Sequence, residues 1–143
     1  MPAKKPDKSI LVALCVPAIS EATPDVLRAS MKALAGSKAA PLRDDVEIVL
    51  AEAVNNIVEH AYDGLSFGAL ALRISLSRQS LRIDLIDWGR PLPNLAIPTG
   101  HAPDPESLSE GGYGWLLIRS LVSTLDYDRH ADTNRLSLRF DLR

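Results

Sequence analysis

Leu50-Ala51-Glu52-Ala53-Val54-Asn55-Asn56-Ile57-Val58-Glu59-His60-Ala61 carries a helical apolar period and, within it, polar groups that the period does not require. Helical geometry stacks residues i and i+4 on one face. Val46, Leu50, Ala53, Val54, Ile57 and Ala61 therefore form an apolar row, and Glu52, Asn56 and His60 a polar strip beside it. Singly, a Glu or an Asn on a helix flank is an ordinary solvated residue. As a pair one turn apart, Glu52 and Asn56 offer an oxygen base and a neutral oxygen donor, groups that can activate a hydroxyl or water and hold a hard cation such as Mg²⁺.

Upstream, Ile10 to Val16 alternates apolar residues and breaks at Pro17, which reads as a first strand with Cys15 packed in it. Thr23-Pro24 reads as an N-cap followed by proline at the first helical position, opening a helix that runs to about Leu34 and stops near Gly36. The central helix is expected from Pro41 to about Tyr62, with Asp44, Asp45 and Glu47 at its positive end. Downstream, Ala69 to Ser77 and Leu81 to Asp87 alternate as strands joined in a hairpin through Ser77 to Ser80. Trp88 to Gly112 holds five of the ten prolines and is too long for a plain connection, so it is expected to be a lid, a binding loop or a disordered segment. A third helix follows from Tyr113 to about Val122. Two last strands, Leu125 to Arg129 and Arg135 to Leu142, are joined by the turn Ala131-Asp132-Thr133-Asn134. Strands clustered in hairpins predict an α+β fold, a two-layer sandwich whose mixed, mostly antiparallel sheet is covered on one face by about three helices. Residues 1–9 are expected to be a flexible N-terminus ahead of a single domain over 10–143.

Composition narrows the function. A chain of 143 residues has the length of one ordinary domain, and its net charge of −2 gives no polycationic surface for a phosphate backbone. No direct nucleic-acid role is expected. The single cysteine excludes an internal disulfide and a cysteine zinc cluster, and suits a reducing compartment. Lys4, Lys5 and Lys8 precede an apolar run as in a secretory signal, but that run alternates and has no small-x-small cleavage site. No stretch reaches the roughly 18 apolar residues of a membrane span. A cytoplasmic protein without membrane contact is expected.

Two further motifs carry chemistry. In Asp87-Trp88-Gly89-Arg90-Pro91 an apolar strand ends in a carboxylate that can accept a hydrogen bond from an exocyclic amine such as adenine N6, and Gly89 lets backbone approach a ring closely. Trp88 borders that position and Trp115 is expected in the core. In Glu110-Gly111-Gly112-Tyr113-Gly114, glycines ahead of a helix free backbone N–H groups to face a phosphate. The pattern lacks the Gly-Lys-Ser/Thr of a Walker A loop. His60 is expected to be satisfied by a nearby carbonyl rather than to bind metal, and Glu59 and Glu110 to be solvated.

Taken in order, these motifs resemble those of the GHKL or Bergerat-fold ATPases, and within them the bacterial anti-sigma-factor serine/threonine kinases, over roughly residues 10 to 142. Glu52 to Asn56 looks like the N box, Asp87-x-Gly89 the G1 box, Gly112-x-Gly114 the G2 box, and Thr133-Asn134-Arg135-Leu136-Ser137-Leu138 the closing hairpin. The resemblance implies that ATP and Mg²⁺ are bound, with Glu52 the general base, Asn56 the Mg²⁺ ligand and Asp87 the adenine acceptor. Gly89 would border the base, and Gly112, Tyr113 and Gly114 would close on the phosphates. It further implies phosphorylation of a STAS-type anti-anti-sigma partner, sequestration of a sigma factor or similar regulator, and a homodimer. Pro91 stands where many GHKL proteins have a second glycine, and Arg90 is the strong cation near the start of a lid that holds no lysine. The other reading is a nucleotide-gated partner-binding module that transfers no phosphate.

Overall fold

In the computed structural model, residues 8–65, 67–98 and 112–142 are described. The chain runs β1 (Lys8–Pro17), α1 (Thr23–Ala35), α2 (Arg43–Asn56), β2 (Ala69–Ser77), β3 (Ser80–Asp87), α3 (Gly112–Leu121), β4 (Thr124–His130) and β5 (Thr133–Asp141). The five strands form one sheet in the order β1-β2-β3-β5-β4, and every neighbouring pair is antiparallel.

Alternation divides the sheet into two faces. Leu70, Leu72, Ile74, Leu81, Ile83, Leu85, Leu136, Leu138 and Phe140 are buried on one face, with Val26, Leu34, Val46, Val49, Leu50 and Ile118 of the helices. Arg73, Arg82, Asp84, Arg135, Ser137 and Arg139 occupy the alternate positions. Asp84 is buried there, accepting from Arg82 Nε at 3.1 Å and from Ser137 Oγ at 2.6 Å. The fold is the expected α+β sandwich, and hairpin connectivity makes its sheet wholly antiparallel.

Local differences have local causes. A one-turn 3₁₀ helix, Ser20–Ala22, feeds directly into α1, so Thr23 already has helical dihedrals (φ −56°, ψ −47°) and does not act as the cap. Its hydroxyl is buried without a partner. Another 3₁₀ turn, Ala40–Leu42, precedes α2, and the end of the central helix, Ile57–Ala61, is wound as a π turn. The hairpins close more tightly than expected: Ser77 and Ser80 belong to β2 and β3, and Thr133 and Asn134 are paired in β5. Ala131, at φ 54°, takes the left-handed position of that second turn. A register shift between Ile10 and Val12 moves Ile10 out of the inward alternation, leaving it 60% exposed. Cys15, expected to pack, is also exposed, because it pairs with Ala71 on the face turned away from the core. Of the expected lid, residues 99–111 lie outside the described residues, including Glu110 and Gly111. Among the described residues no helix is long and apolar enough to cross a membrane.

Candidate active site

Asn56 is the last residue of α2 and Asp87 the last of β3. They line one cavity of about 380 Å³ with His60, Ala61, Arg90, Pro91, Leu92, Trp115 and Tyr127 among others. That volume lies within the usual range for small-molecule sites. The sequence motifs, more than thirty positions apart, therefore converge because the helical layer and the central strand end at the same place. Trp115, only 7% exposed, supplies an apolar wall. Trp88 is 46% exposed and is not among the lining residues; its backbone N–H donates to Tyr62 Oη at 2.9 Å.

Asp87 is 6% exposed and tightly held. Its Oδ1 accepts from the Gly89 N–H at 3.0 Å and from Asn134 Nδ2 at 2.8 Å. Both bonds fall on one oxygen, so among the described residues no hydrogen bond engages Oδ2. Burial pushes the carboxyl pKa above the usual range, against the opposing pull of Asn134, the Gly89 N–H and the Arg129 charge.

Behind Asp87 stands a brace that sequence reading missed. Asn134 is 1% exposed and also donates to the Gly89 carbonyl at 3.1 Å. Its Oδ1 accepts from Arg129 at 2.7 Å and from the Tyr127 hydroxyl at 3.1 Å. Arg129 donates to the Gly89 carbonyl at 3.1 Å, while the Tyr127 hydroxyl accepts the Leu92 N–H at 2.9 Å. Burial raises the Tyr127 pKa, keeping this hydroxyl protonated and able to donate. The β4–β5 hairpin thus fixes the carboxylate and the chain from Gly89 to Leu92 together. The sequence held one usable signal: continuing the alternation of Leu136, Leu138 and Phe140 back by two puts Asn134 on the core face, where an unpaired amide is costly.

Gly89 is required by close approach: a Cβ there would collide with the Ala61 carbonyl, and the next N–H, of Arg90, donates to that carbonyl at 2.6 Å. Gly112 to Gly114, expected as a turn ahead of a helix, already form the first turn of α3, with Tyr113 56% exposed. A Cβ on Gly114 would sit 2.8 Å from Glu52 Oε2 and 3.8 Å from Asn56 Oδ1, so α3 rests on the polar strip of α2. Glu52 is half-buried and does not line the cavity of Asn56 and Asp87. It opens into an adjoining hollow between α1 and α2.

The residues fit a magnesium nucleotide. Among the described residues the Asn56 Nδ2 position is buried without a partner, leaving one end of that amide open, and the two ends of a carboxamide are interchangeable by rotation. Mg²⁺ usually keeps several waters and draws on substrate phosphates besides its protein ligands, and Asn56 would be the protein's oxygen ligand to it. Among the described residues no group of three or more His, Cys, Asp or Glu could hold a metal alone. Among the described residues His60 has no carbonyl partner; its ring is exposed and lies 3.7 Å from the Glu59 carboxylate.

The chain belongs to the histidine kinase-like ATPase domain family, which matches residues 16–140. It is similar to the serine/threonine-protein kinase BtrW of Bordetella bronchiseptica, at 30% identity over 69% of this chain and 70% of that one. It is also similar to the serine-protein kinase RsbW of Oceanobacillus iheyensis, at 31% identity over 55% of this chain and 53% of the relative. Another serine-protein kinase RsbW, from Halalkalibacterium halodurans, is 31% identical over 58% of this chain and 53% of its own length. The matches thus span about half the length of the RsbW relatives. In fold the chain is similar to the histidine kinase domain of the Erythrobacter litoralis EL346 blue-light activated histidine kinase, with a TM-score of 0.54 and 18% identity over 87% of this chain and 61% of that one.

Proposed function

We propose that this chain is an ATP-dependent protein serine/threonine kinase and anti-sigma regulatory factor. Its substrate would be a STAS-type anti-anti-sigma partner, in a cytoplasmic partner-switching system that sequesters a sigma factor or similar regulator. The observation that carries the reading is the seat of Gly114 against Glu52 and Asn56, beside the cavity that Asn56 shares with Asp87. A base, a metal ligand and a base-reading carboxylate are the groups a phosphoryl transfer from ATP needs. The names of the relatives, serine and serine/threonine kinases, support the same reaction.

In the proposed site Asp87 Oδ2 accepts the adenine N6–H, while Gly89 admits the base edge beside the Ala61 carbonyl. Asn56 and the first turn of α3, from Gly112 through Tyr113 to Gly114, hold the phosphate end. Mg²⁺, when bound, neutralises phosphate charge and fixes the terminal phosphate in line. Glu52 accepts the proton of the partner's hydroxyl as its oxygen bonds to the γ-phosphorus. The bond from γ-phosphorus to the bridging oxygen breaks, and ADP leaves with that electron pair. Arg90, which lines the cavity, is a cation available to the bound nucleotide.

Incubation with γ-labelled ATP and a cognate STAS partner tests this reading. Label on a partner Ser or Thr is expected. ATP binding without transferred label would instead make the chain a nucleotide-gated binding module.

A further inference from the structure

One helical turn separates Asn56 from Glu52, and the two open into different spaces. The Glu52 hollow, about 430 Å³, is formed by Leu27 of α1 and by Asp44, Glu47, Ile48 and Ala51 of α2. Those α2 positions recur at helical spacing as one stripe, distinct from the buried stripe of Val46, Val49, Leu50 and Ala53. Among the described residues most of the stripe is left uncovered: Asp44, Glu47 and Ile48 are exposed, Ile48 to 44%, and Ala51 is half-buried. Among the described residues none of Asp44, Glu47 and Glu52 is in an ion pair. An apolar floor with unpaired carboxylates on its wall is left open to solvent.

We propose that this α1–α2 hollow docks the polypeptide segment bearing the phosphoacceptor, and that the segment is basic and apolar. Its Ser or Thr would meet Glu52, an apolar neighbour would cover Leu27, Ile48 and Ala51, and a Lys or Arg would face Asp44 and Glu47. The inference rests on the kinase reading of Glu52 and supplies its substrate side. A hydroxyl that gives its proton to Glu52 must come within hydrogen-bond reach of the carboxylate. The first turn of α3 closes one flank, since no Cβ fits between Gly114 and Glu52 without displacement. The nucleotide cavity lies toward Asn56, and among the described residues the hollow is an open approach to Glu52. Carboxylates gathered in a recess raise the local concentration of a cationic segment and repel an anionic one, an effect that salt weakens.

Two short fluorescent peptides decide the matter, each with a central Ser flanked by Leu, one carrying Lys and Arg and the other Glu and Asp at the same outer positions. Their anisotropy is titrated with the full chain in the presence of Mg·AMP-PNP. The basic peptide should bind about tenfold more tightly at low salt, with the gap shrinking as salt rises. Glu47→Lys should remove the preference, and Ile48→Ser should weaken the basic peptide; both variants should bind a fluorescent ATP analogue as the parent does. No binding of either peptide, equal binding of both, or a preference that survives Glu47→Lys overturns the proposal. If the parent chain binds Mg·AMP-PNP but shows no peptide preference, the docking inference alone fails. A chain that binds no nucleotide would defeat the kinase reading instead.

Discussion

Asp87 is a carboxylate whose partners among the described residues all approach one oxygen. Its burial and its open Oδ2 are the features an adenine acceptor needs, and both carry a stability cost. Because its folded pKa is raised, protonated Asp87 contributes stability that is full below the ordinary carboxylate pKa and lost as pH rises through the raised value. Asp87→Asn removes that ionisation, so the stability of the parent relative to the variant should fall as pH rises through this window, measured by urea unfolding across a pH series. The same variant places an N–H donor opposite the adenine N6–H and should bind ATP about 10- to 100-fold more weakly, in line with one lost hydrogen bond of about 1–3 kcal/mol. A stability difference that does not change with pH would contradict the burial account. Asn134→Ala removes one hydrogen-bond partner each from Asp87 Oδ1, Arg129 and the Tyr127 hydroxyl. It should destabilise by about 1–3 kcal/mol and weaken ATP binding, although Asn134 does not line the cavity.

At the scale of elements, the contact of α3 on α2 links sequence to chemistry. Gly114 lies in a helix, where glycine is a poor choice by about 1 kcal/mol against alanine. A Cβ at this position would sit against the Glu52 carboxylate and displace it. Gly114→Ala should therefore leave global stability within about 1 kcal/mol of the parent, since the propensity gain offsets the crowding. Phosphate transfer should drop by about tenfold or more because the Glu52 carboxylate must shift. Stability and transfer measured on the same preparation separate the two effects; unchanged transfer would remove the α3 contact from the mechanism. The elements themselves were legible because their periods are strong: Leu70, Leu72 and Ile74 alternate, and Val46, Leu50, Ala53 and Val54 recur at helical spacing. The π turn at Ile57–Ala61 and the 3₁₀ entry to α1 left no mark in the apolar pattern. Asn134 was misread because Asn is a common turn residue, and only the register of β5 against β3, which pairs it with Asp87, reveals its role.

At the scale of the whole molecule, Glu52 and Asn56 open into two spaces of one fold. On the proposed function, Asn56 would be needed to hold Mg·ATP and Glu52 only when phosphate moves. Ligand that binds the folded state alone stabilises it by about 2.7 kcal/mol at a hundred times its Kd, so thermal shift reports nucleotide binding independently of catalysis. The measurement that tests the division most directly is a paired assay of Mg·ATP thermal shift and γ-phosphate transfer on the parent, Glu52→Ala and Asn56→Ala. Glu52→Ala should keep the full thermal shift while transfer falls by about 10²-fold or more, and Asn56→Ala should lose both. Near-normal transfer by Glu52→Ala, or a full thermal shift in Asn56→Ala, would contradict the account.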